Sequence, residues 1–317
     1  MTDPLPSHVT FIERGVLHSN SVVVHASDQF LLFDTGYCTG AAALEQAIIE
    51  QAGRPVGQLA MIANTHAHPD HTGANGYLQD RSRCAIVMSD IDRMLVESGD
   101  PVTLMREWAD LRCPPFTVTR ALAPGDTLRF GPAELTVIDG AGHAAGEISY
   151  FSARDRLLIC GDLLWNSGFS GVVPLVEGIG GLARHERSLV ALRALDAEVA
   201  IPGHGPLIVG RAAVRDRIDE TIDTIRFYRV HRDRWLTTTL KSFLIMHVLV
   251  EDRVPRGVFV ERCARALWFR EQVARFLPGA SGPAGGPAEL LEVLLDELLA
   301  RRILWMEDGR LRCTLKA

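Results

Sequence analysis

Short apolar runs alternate with helical patterns over roughly the first 210 residues, and this alternation predicts a mixed α/β layered fold. A helix is predicted from about residue 40 to 51, and the five-residue apolar run 59–63 is typical of a strand buried on both faces. The predicted strands are 8–13, 21–25, 30–33, 59–63, 85–88, 135–138, 148–151, 157–160 and 199–201.

The pattern changes beyond residue 210. Apolar residues recur at helical spacing over 211–235 and again over 290–299, with a Pro/Gly/Ala/Ser-rich loop predicted at 278–287. Runs at 303–306 and 311–314 flank Asp308-Gly309, which predicts a hairpin. We therefore expect two domains: a catalytic domain over 1–230 and a small, mostly helical, winged-helix-like module over 231–317.

Composition narrows the class of protein. Hydrophobic residues make up 47% of the 317 residues and charged residues 23%, which excludes a disordered, collagen-like or coiled-coil chain. The longest apolar stretch, 242–250, is too short to span a membrane. The chain opens without a signal-peptide pattern and its six cysteines are scattered, so we expect a cytoplasmic protein with reduced thiols.

Charge is distributed unevenly along the chain. The net charge of −6 combines a balance of −10 over residues 1–210 with +5 over 211–275. The basic segment permits a nucleic-acid partner, although solvated helix faces explain it more simply.

The segment 66–71, His-Ala-His-Pro-Asp-His, carries the clearest chemistry. Neutral imidazole and carboxylate groups are good ligands for a borderline divalent ion such as zinc. Four such side chains are too many for one tetrahedral ion that keeps a position open for water. The segment therefore predicts two metal ions that share this loop.

Three more distant residues could complete such a site. His143, Asp162 and His204 each follow a predicted strand, and each has a neighbouring glycine that gives room for a sharp turn. A single histidine at a strand end is more often a hydrogen-bonded structural residue, but the three together favour a shared site.

At these motifs the chain resembles the metallo-β-lactamase superfamily, over roughly residues 8 to 230. The resemblance implies an α+β four-layer αββα sandwich with a dinuclear site at one edge. It places His66, His68 and His143 on the first metal, Asp70, His71 and His204 on the second, and Asp162 between them as a bridge. It also implies that Asp34 orients ligands without binding metal, with simple capping of its turn as the alternative.

The expected cofactor is two Zn²⁺ ions per chain, although iron or manganese would suit similar ligands. Two cations that share one water would lower its pKa to about 7 or below and hold a hydroxide ready for attack. We expect Asp70 to accept a hydrogen bond from that hydroxide and to direct its lone pair toward the substrate.

The metal site indicates the class of reaction more firmly than it indicates the identity of the substrate. Two segments with apolar and aromatic residues, 94–118 and 163–182, are predicted to form a lid, with core packing or a dimer contact as alternatives. An apolar lid favours a small-molecule acyl-type substrate. We therefore expect hydrolysis of a small ester, thioester or lactone. The sequence permits a homodimer but does not require one, and we expect no association with a membrane.

Three alternatives stay open. The motif and the Gly161-Asp162 step are similar to the glyoxalase II branch, which cleaves glutathione thioesters, but the stretch after Asp162 lacks basic residues to hold a glutathione carboxylate. The long helix and the winged-helix-like tail resemble a β-lactamase-like subgroup that includes endoribonucleases, which keeps phosphodiester or RNA cleavage in view. A persulfide dioxygenase with one iron is the third, and the presence of all seven ligand positions favours two-metal hydrolysis over it.

Overall fold

Two six-stranded mixed sheets form the centre of the computed structural model, which describes residues 4–102, 104–105, 113–251, 253–276 and 287–315. The first sheet has the order β1-β2-β3-β4-β5-β6 and contains β1 (Val9–Ile12), β2 (Ser21–His25), β3 (Phe30–Phe33), β4 (Leu59–Ala63), β5 (Ala85–Ser89) and β6 (Arg120–Leu122). The second has the order β12-β11-β10-β9-β8-β7 and contains β7 (Thr127–Phe130), β8 (Ala133–Asp139), β9 (Ile148–Ser152), β10 (Leu157–Gly161), β11 (Val199–Pro202) and β12 (Ile208–Val209).

Helices cover the outer face of each sheet. Successive residues of a strand point to opposite faces, so Leu31 and Phe33 of β3 face the second sheet while Phe30 and Leu32 pack under helices. The described helices of this sandwich are α1 (Ala41–Ala52), α2 (Pro69–Thr72), α3 (Asn75–Ser82), α4 (Asp90–Ser98), α5 (Pro174–Glu177), α6 (Gly181–Ala194) and α7 (Arg211–Val230). The predicted αββα sandwich is confirmed.

Most predicted strands are present with bounds shifted by one or two residues. In the two six-stranded sheets, the sequence reading missed β6, β7 and β12. All three strands are short, lie at the edges of their sheets and contain an exposed residue. They therefore lack the continuous apolar run that marks a central strand.

The single helix predicted over 211–235 was wrong. His231 has a non-helical backbone and separates α7 from α8 (Arg232–Glu251). Ile218 and Ile222 of α7 pack under the second sheet, whereas Leu240 and Leu244 of α8 pack in a separate core. The break lets the two helices serve different layers.

That separate core belongs to the C-terminal region. Its elements are α8, β13 (Val254–Pro255), α9 (Arg256–Arg265), α10 (Leu267–Phe276), α11 (Pro287–Ala300), β14 (Leu304–Glu307) and β15 (Arg310–Cys313), with strand order β13-β15-β14. The predicted hairpin is confirmed, with positive φ at Asp308 and Gly309. The predicted loop at 278–287 lies almost wholly outside the described residues. The domain boundary and the winged-helix assignment stay predictions.

None of the helices that the structure describes is both long and apolar enough to cross a membrane.

Candidate metal centre

The predicted ligands follow strands that end at one edge of the sandwich. His66 follows β4, while His143, Asp162 and His204 follow β8, β10 and β11. These last three strands run in the same direction, since β9 is antiparallel to both β8 and β10, and β10 is parallel to β11. Their carboxyl ends therefore meet at one place.

A single-turn helix places the middle of the histidine motif. His68 is extended and precedes Pro69, which occupies the first position of α2, where its fixed φ and missing N–H are tolerated. The turn then presents Asp70 and His71 on successive positions of the same short helix.

Two glycines allow the close approach of the later ligands. A Cβ atom at Gly203 would lie 2.1 Å from Asp162 Oδ1 and 2.8 Å from His71 Cε1. Gly161 has φ +54°, and a Cβ atom there would lie 2.8 Å from Glu147 Oε1. Side chains at either position would displace the cluster.

Three buried imidazoles form the first group of ligand atoms. His68 Nδ1 lies 3.0 Å from His66 Nε2 and 3.0 Å from His143 Nε2. One nitrogen from each ring lies within 4.8 Å of the others. His143 is oriented by its Nδ1 atom, which lies 2.8 Å from the Gly171 carbonyl oxygen.

Asp70, His71, Asp162 and His204 form the second group. His204 Nε2 lies 3.3 Å from Asp70 Oδ2, and His71 Nε2 lies 3.4 Å from Asp162 Oδ1. Asp162 Oδ2 lies 3.6 Å from His143 Nε2 and 3.8 Å from His204 Nε2. The Asp162 carboxylate therefore reaches both groups.

Asp34 lies behind this second group. Its Oδ2 atom is 2.8 Å from His71 Nδ1 and accepts a hydrogen bond from the Thr65 hydroxyl, while its Oδ1 atom accepts one from the Thr65 N–H. The residue has φ +50°. It thus contacts the His71 ring nitrogen that faces away from the cluster, where it can set the orientation of that ring.

The charges of the cluster depend on one another. Burial lowers the pKa of His68 to about 3, helped by the neighbouring His143. Burial alone would raise the pKa of Asp70, but His71 and His204 lower it to about 2. Burial would also lower the pKa of His71, yet the nearby carboxylates, Asp162 first, raise it well above its ordinary value.

The sequence reading missed Glu147, which is 1% exposed. Its Oε1 atom accepts a 2.7 Å hydrogen bond from the Asp162 N–H and lies 3.9 Å from His66 Nδ1. Burial, together with the Asp162 charge, raises the pKa of Glu147 well above its usual range. No motif marks this residue, because its role comes from contacts across the sheet edge.

The donor set fits divalent metal ions. Imidazole nitrogens and carboxylate oxygens converge in two adjacent groups, which is the ligand chemistry that zinc prefers. The buried Nε2 atom of His71 has no well-formed hydrogen bond within the described part of the chain. A ring nitrogen held between carboxylates without such a partner is suited to a cation.

A cavity of about 340 Å³ opens above the two groups. From the predicted lid segment 163–182, Trp165 and Val173 line it, and Trp165 Nε1 donates a 2.9 Å hydrogen bond to Asp162 Oδ1. From the other segment, Met105 lines the cavity, while residues 103 and 106–112 lie outside the described part. The sequence reading missed the wall formed by Thr239, Ser242, Phe243, Ile245 and Met246 of α8.

The sequence pattern of the metallo-beta-lactamase superfamily matches residues 14–204, which contain every residue of the two groups. The chain belongs to the metallo-beta-lactamase superfamily. Its predicted membership is thereby confirmed.

Relatives within the superfamily include two proteins named hydroxyacylglutathione hydrolase. The one from Rhodospirillum rubrum is 30% identical over 55% of this chain and 61% of its own length. The one from Methylococcus capsulatus is 28% identical over 62% of this chain and 73% of its own length. The chain thus spans about three fifths of the first relative.

Solved structures share the superfamily fold. A metallo-beta-lactamase family protein from Thermus thermophilus has a TM-score of 0.59 at 19% identity and covers 96% of this chain and 98% of its own. A subclass B3 metallo-beta-lactamase of Bradyrhizobium japonicum has a TM-score of 0.59 at 20% identity, over 72% of this chain and 92% of its own. The first match includes the C-terminal region, and at these identities both indicate the fold alone.

Proposed function

We propose that this protein is a metal-dependent hydrolase that cleaves a small ester, thioester or lactone at a two-ion site. The observation that carries the proposal is the position of Asp162, whose carboxylate reaches both ligand groups. His66, His68 and His143 would hold one ion, and Asp70, His71 and His204 the other, with Asp162 shared. The relatives named hydroxyacylglutathione hydrolase support thioester cleavage.

Two bound zinc ions would supply acidification of a shared water and polarisation of the substrate carbonyl. The residues of the chain do the positioning. Asp70 lines the cavity with a carboxylate that is ionised at neutral pH, so it can accept a hydrogen bond from the attacking water. The Trp165 N–H and the Asp162 backbone hydrogen bond to Glu147 hold the shared carboxylate in place.

The basic C-terminal segment is the feature that would favour RNA cleavage, but carboxylates neutralise much of it. Arg256 pairs with Glu292 and Asp296, and Arg262 pairs with Glu251. Phosphate binding depends on free cationic side chains. We therefore favour a small-molecule substrate.

Elemental mass spectrometry of the purified protein tests the site. We expect about two zinc ions per chain, with thioester hydrolysis that chelation abolishes. About one iron per chain would contradict the proposal and indicate oxygen-dependent sulfur chemistry.

His68→Ala should remove more turnover than the roughly 10–100-fold lost at residues that only orient ligands, with the circular dichroism spectrum retained. His231→Ala, at an exposed position between α7 and α8, is the matched control and should behave as wild type. Unchanged turnover in His68→Ala would reject the assigned site.

A further inference from the structure

Within the part of the chain that the structure describes, the cavity above the two candidate ligand groups has no charged lining residue outside those groups. Among the described residues that line it, only His68, Asp70, His143, Asp162 and His204 are ionisable, and all belong to the proposed site. The other lining residues are apolar, or carry only hydroxyl, amide or indole groups. At about 340 Å³ the cavity is at the lower end of the range for small-molecule sites.

One face of α8 forms a wall of this cavity. Thr239, Ser242, Phe243 and Met246 follow the i, i+3, i+4, i+7 spacing that brings side chains onto one helix face. Leu240 and Leu244 of the same helix lie in the C-terminal core, to which Phe243 also belongs. The wall is therefore built on a helix that its own core holds in place.

Aromatic and apolar side chains pack against the wall from behind. The rings of Phe243 and Trp268 have centroids 5.1 Å apart, and Trp268 is fully buried. Met105 and Val173, from the two predicted lid segments, line the same cavity and belong to the same C-terminal core. Met246 is half-buried and borders the open space.

This lining does not suit a glutathione group. Glutathione carries two carboxylates and an ammonium group, and burying such charges without partners is costly. No arginine or lysine lines the cavity within the described ranges. An uncharged, apolar group gains from the same surface, because its removal from water is favourable.

We infer, resting on the proposed function, that the substrate is a thioester or ester with an uncharged, apolar acyl group of medium length, and that Met246 and Phe243 of α8 select its length. Water cleaves the bond: the acyl carbon forms a new C–O bond, the C–S or C–O bond to the leaving group breaks, and a proton from water passes to the departing sulfur or oxygen. The products are a carboxylic acid and a thiol or alcohol.

The test uses zinc-loaded full-length protein and thioesters of N-acetylcysteamine, an uncharged thiol, with acetyl, butanoyl, hexanoyl and octanoyl groups. Thiol release gives kcat/KM for each. We expect kcat/KM to rise by about tenfold or more from acetyl to hexanoyl, as apolar pockets discriminate between chain lengths. Butanoyl-N-acetylcysteamine should be cleaved at least as efficiently as S-butanoylglutathione.

Variants of Met246 connect the length preference to α8. Met246→Trp fills the cavity and should lower kcat/KM for hexanoyl by about tenfold while acetyl stays within about twofold. Met246→Ala should move the optimum to a longer chain. Arg234→Ala, on an exposed position of the same helix, is the matched control and should leave the profile unchanged.

Calorimetry with the product carboxylates gives a readout that does not depend on turnover. Hexanoate should bind more tightly than acetate, with a negative heat-capacity change from apolar burial. Met246→Trp should weaken the binding of hexanoate and leave the binding of acetate unchanged.

Two failures are distinguishable. Equal kcat/KM for all chain lengths, or a preference for glutathione thioesters, would overturn the acyl-pocket inference and leave the proposed hydrolase intact. Absence of hydrolysis for every thioester, ester and lactone would overturn the proposed function, and in that case length-dependent carboxylate binding would still support the pocket.

Discussion

Charge compensation governs the metal centre at the scale of single residues. Asp70, Asp162 and Asp34 bring three carboxylates to an almost wholly buried site. Buried charges need opposite charges or hydrogen bonds nearby. Two divalent cations, as proposed, would balance the three carboxylates together with a shared hydroxide, and would let the imidazoles stay neutral.

Asp34→Asn tests the residue behind the ligands. Asparagine tolerates the positive φ of this position but loses the negative charge next to His71 Nδ1. We expect a loss of about 10–100-fold in metal affinity or kcat/KM, measured by metal titration and thioester turnover. Asp28→Asn, at an exposed carboxylate, is the control. Wild-type affinity in Asp34→Asn would mean that Asp34 only caps its turn.

Trp165→Phe separates two roles of one side chain. Phenylalanine keeps a ring near His204, whose centroid lies 5.2 Å from that of Trp165, but it cannot donate the hydrogen bond to Asp162. We expect kcat to fall by about tenfold, within the range for groups that orient ligands, with KM little changed. A change in KM alone would show that Trp165 acts only as pocket wall.

At the scale of elements, α8 joins two functions. Its inner face packs in the C-terminal core, and another face borders the cavity. The strands β4, β8, β10 and β11 work in a similar way, since each contributes a buried segment and is followed by a candidate ligand beyond its carboxyl end. Stability and chemistry are therefore carried by the same elements, and the stability of α8 affects the site.

His247 makes the packing of α8 sensitive to acid. Burial, assisted by the Arg262 charge, lowers the pKa of His247 to about 4. The folded protein therefore holds this ring neutral, while the unfolded chain binds a proton below about 6.5. The free energy of unfolding is therefore fully retained above pH 6.5. As the pH falls toward 4, protonation of the unfolded chain lowers it by on the order of 3 kcal/mol.

His247→Phe keeps the stacking on Trp268, whose ring centroid lies 5.4 Å away, and removes the titrating group. Denaturant unfolding at pH 7 and pH 4.5 should show a smaller loss of unfolding free energy in this variant than in wild type. His231→Phe, at an exposed position, should retain the full loss. Equal losses in wild type and His247→Phe would contradict the assignment.

At the scale of the whole molecule, the C-terminal region borders a cluster of candidate metal ligands that all come from the sandwich. Trp235 Nε1 donates a 2.9 Å hydrogen bond to the Val172 carbonyl, and Met105 and Val173 pack into the C-terminal core. The two regions are therefore packed together around the cavity.

Truncation after Trp235 should separate metal binding from substrate selection. The proposed ligands lie at or before His204, so about two zinc ions per chain should remain if the proposed site is correct. Removal of α8 exposes Met105 and Val173, which should reduce solubility and lower hexanoyl-thioester kcat/KM by about tenfold relative to acetyl. A soluble truncated protein with the wild-type chain-length profile would show that the tail is dispensable.

The sequence alone determined the layered fold and the residues of the cluster. Strand periodicity and the compact 66–71 motif are local signals, because a buried strand needs an apolar run and a metal site needs donor side chains. Only the tertiary structure decided the place of Glu147, the break at His231 and the wall formed by α8. These depend on contacts between segments that are distant in the chain, such as the hydrogen bond from the Asp162 N–H to Glu147. The periodicity of a sequence is a local property, so it does not predict which distant segments pack against each other.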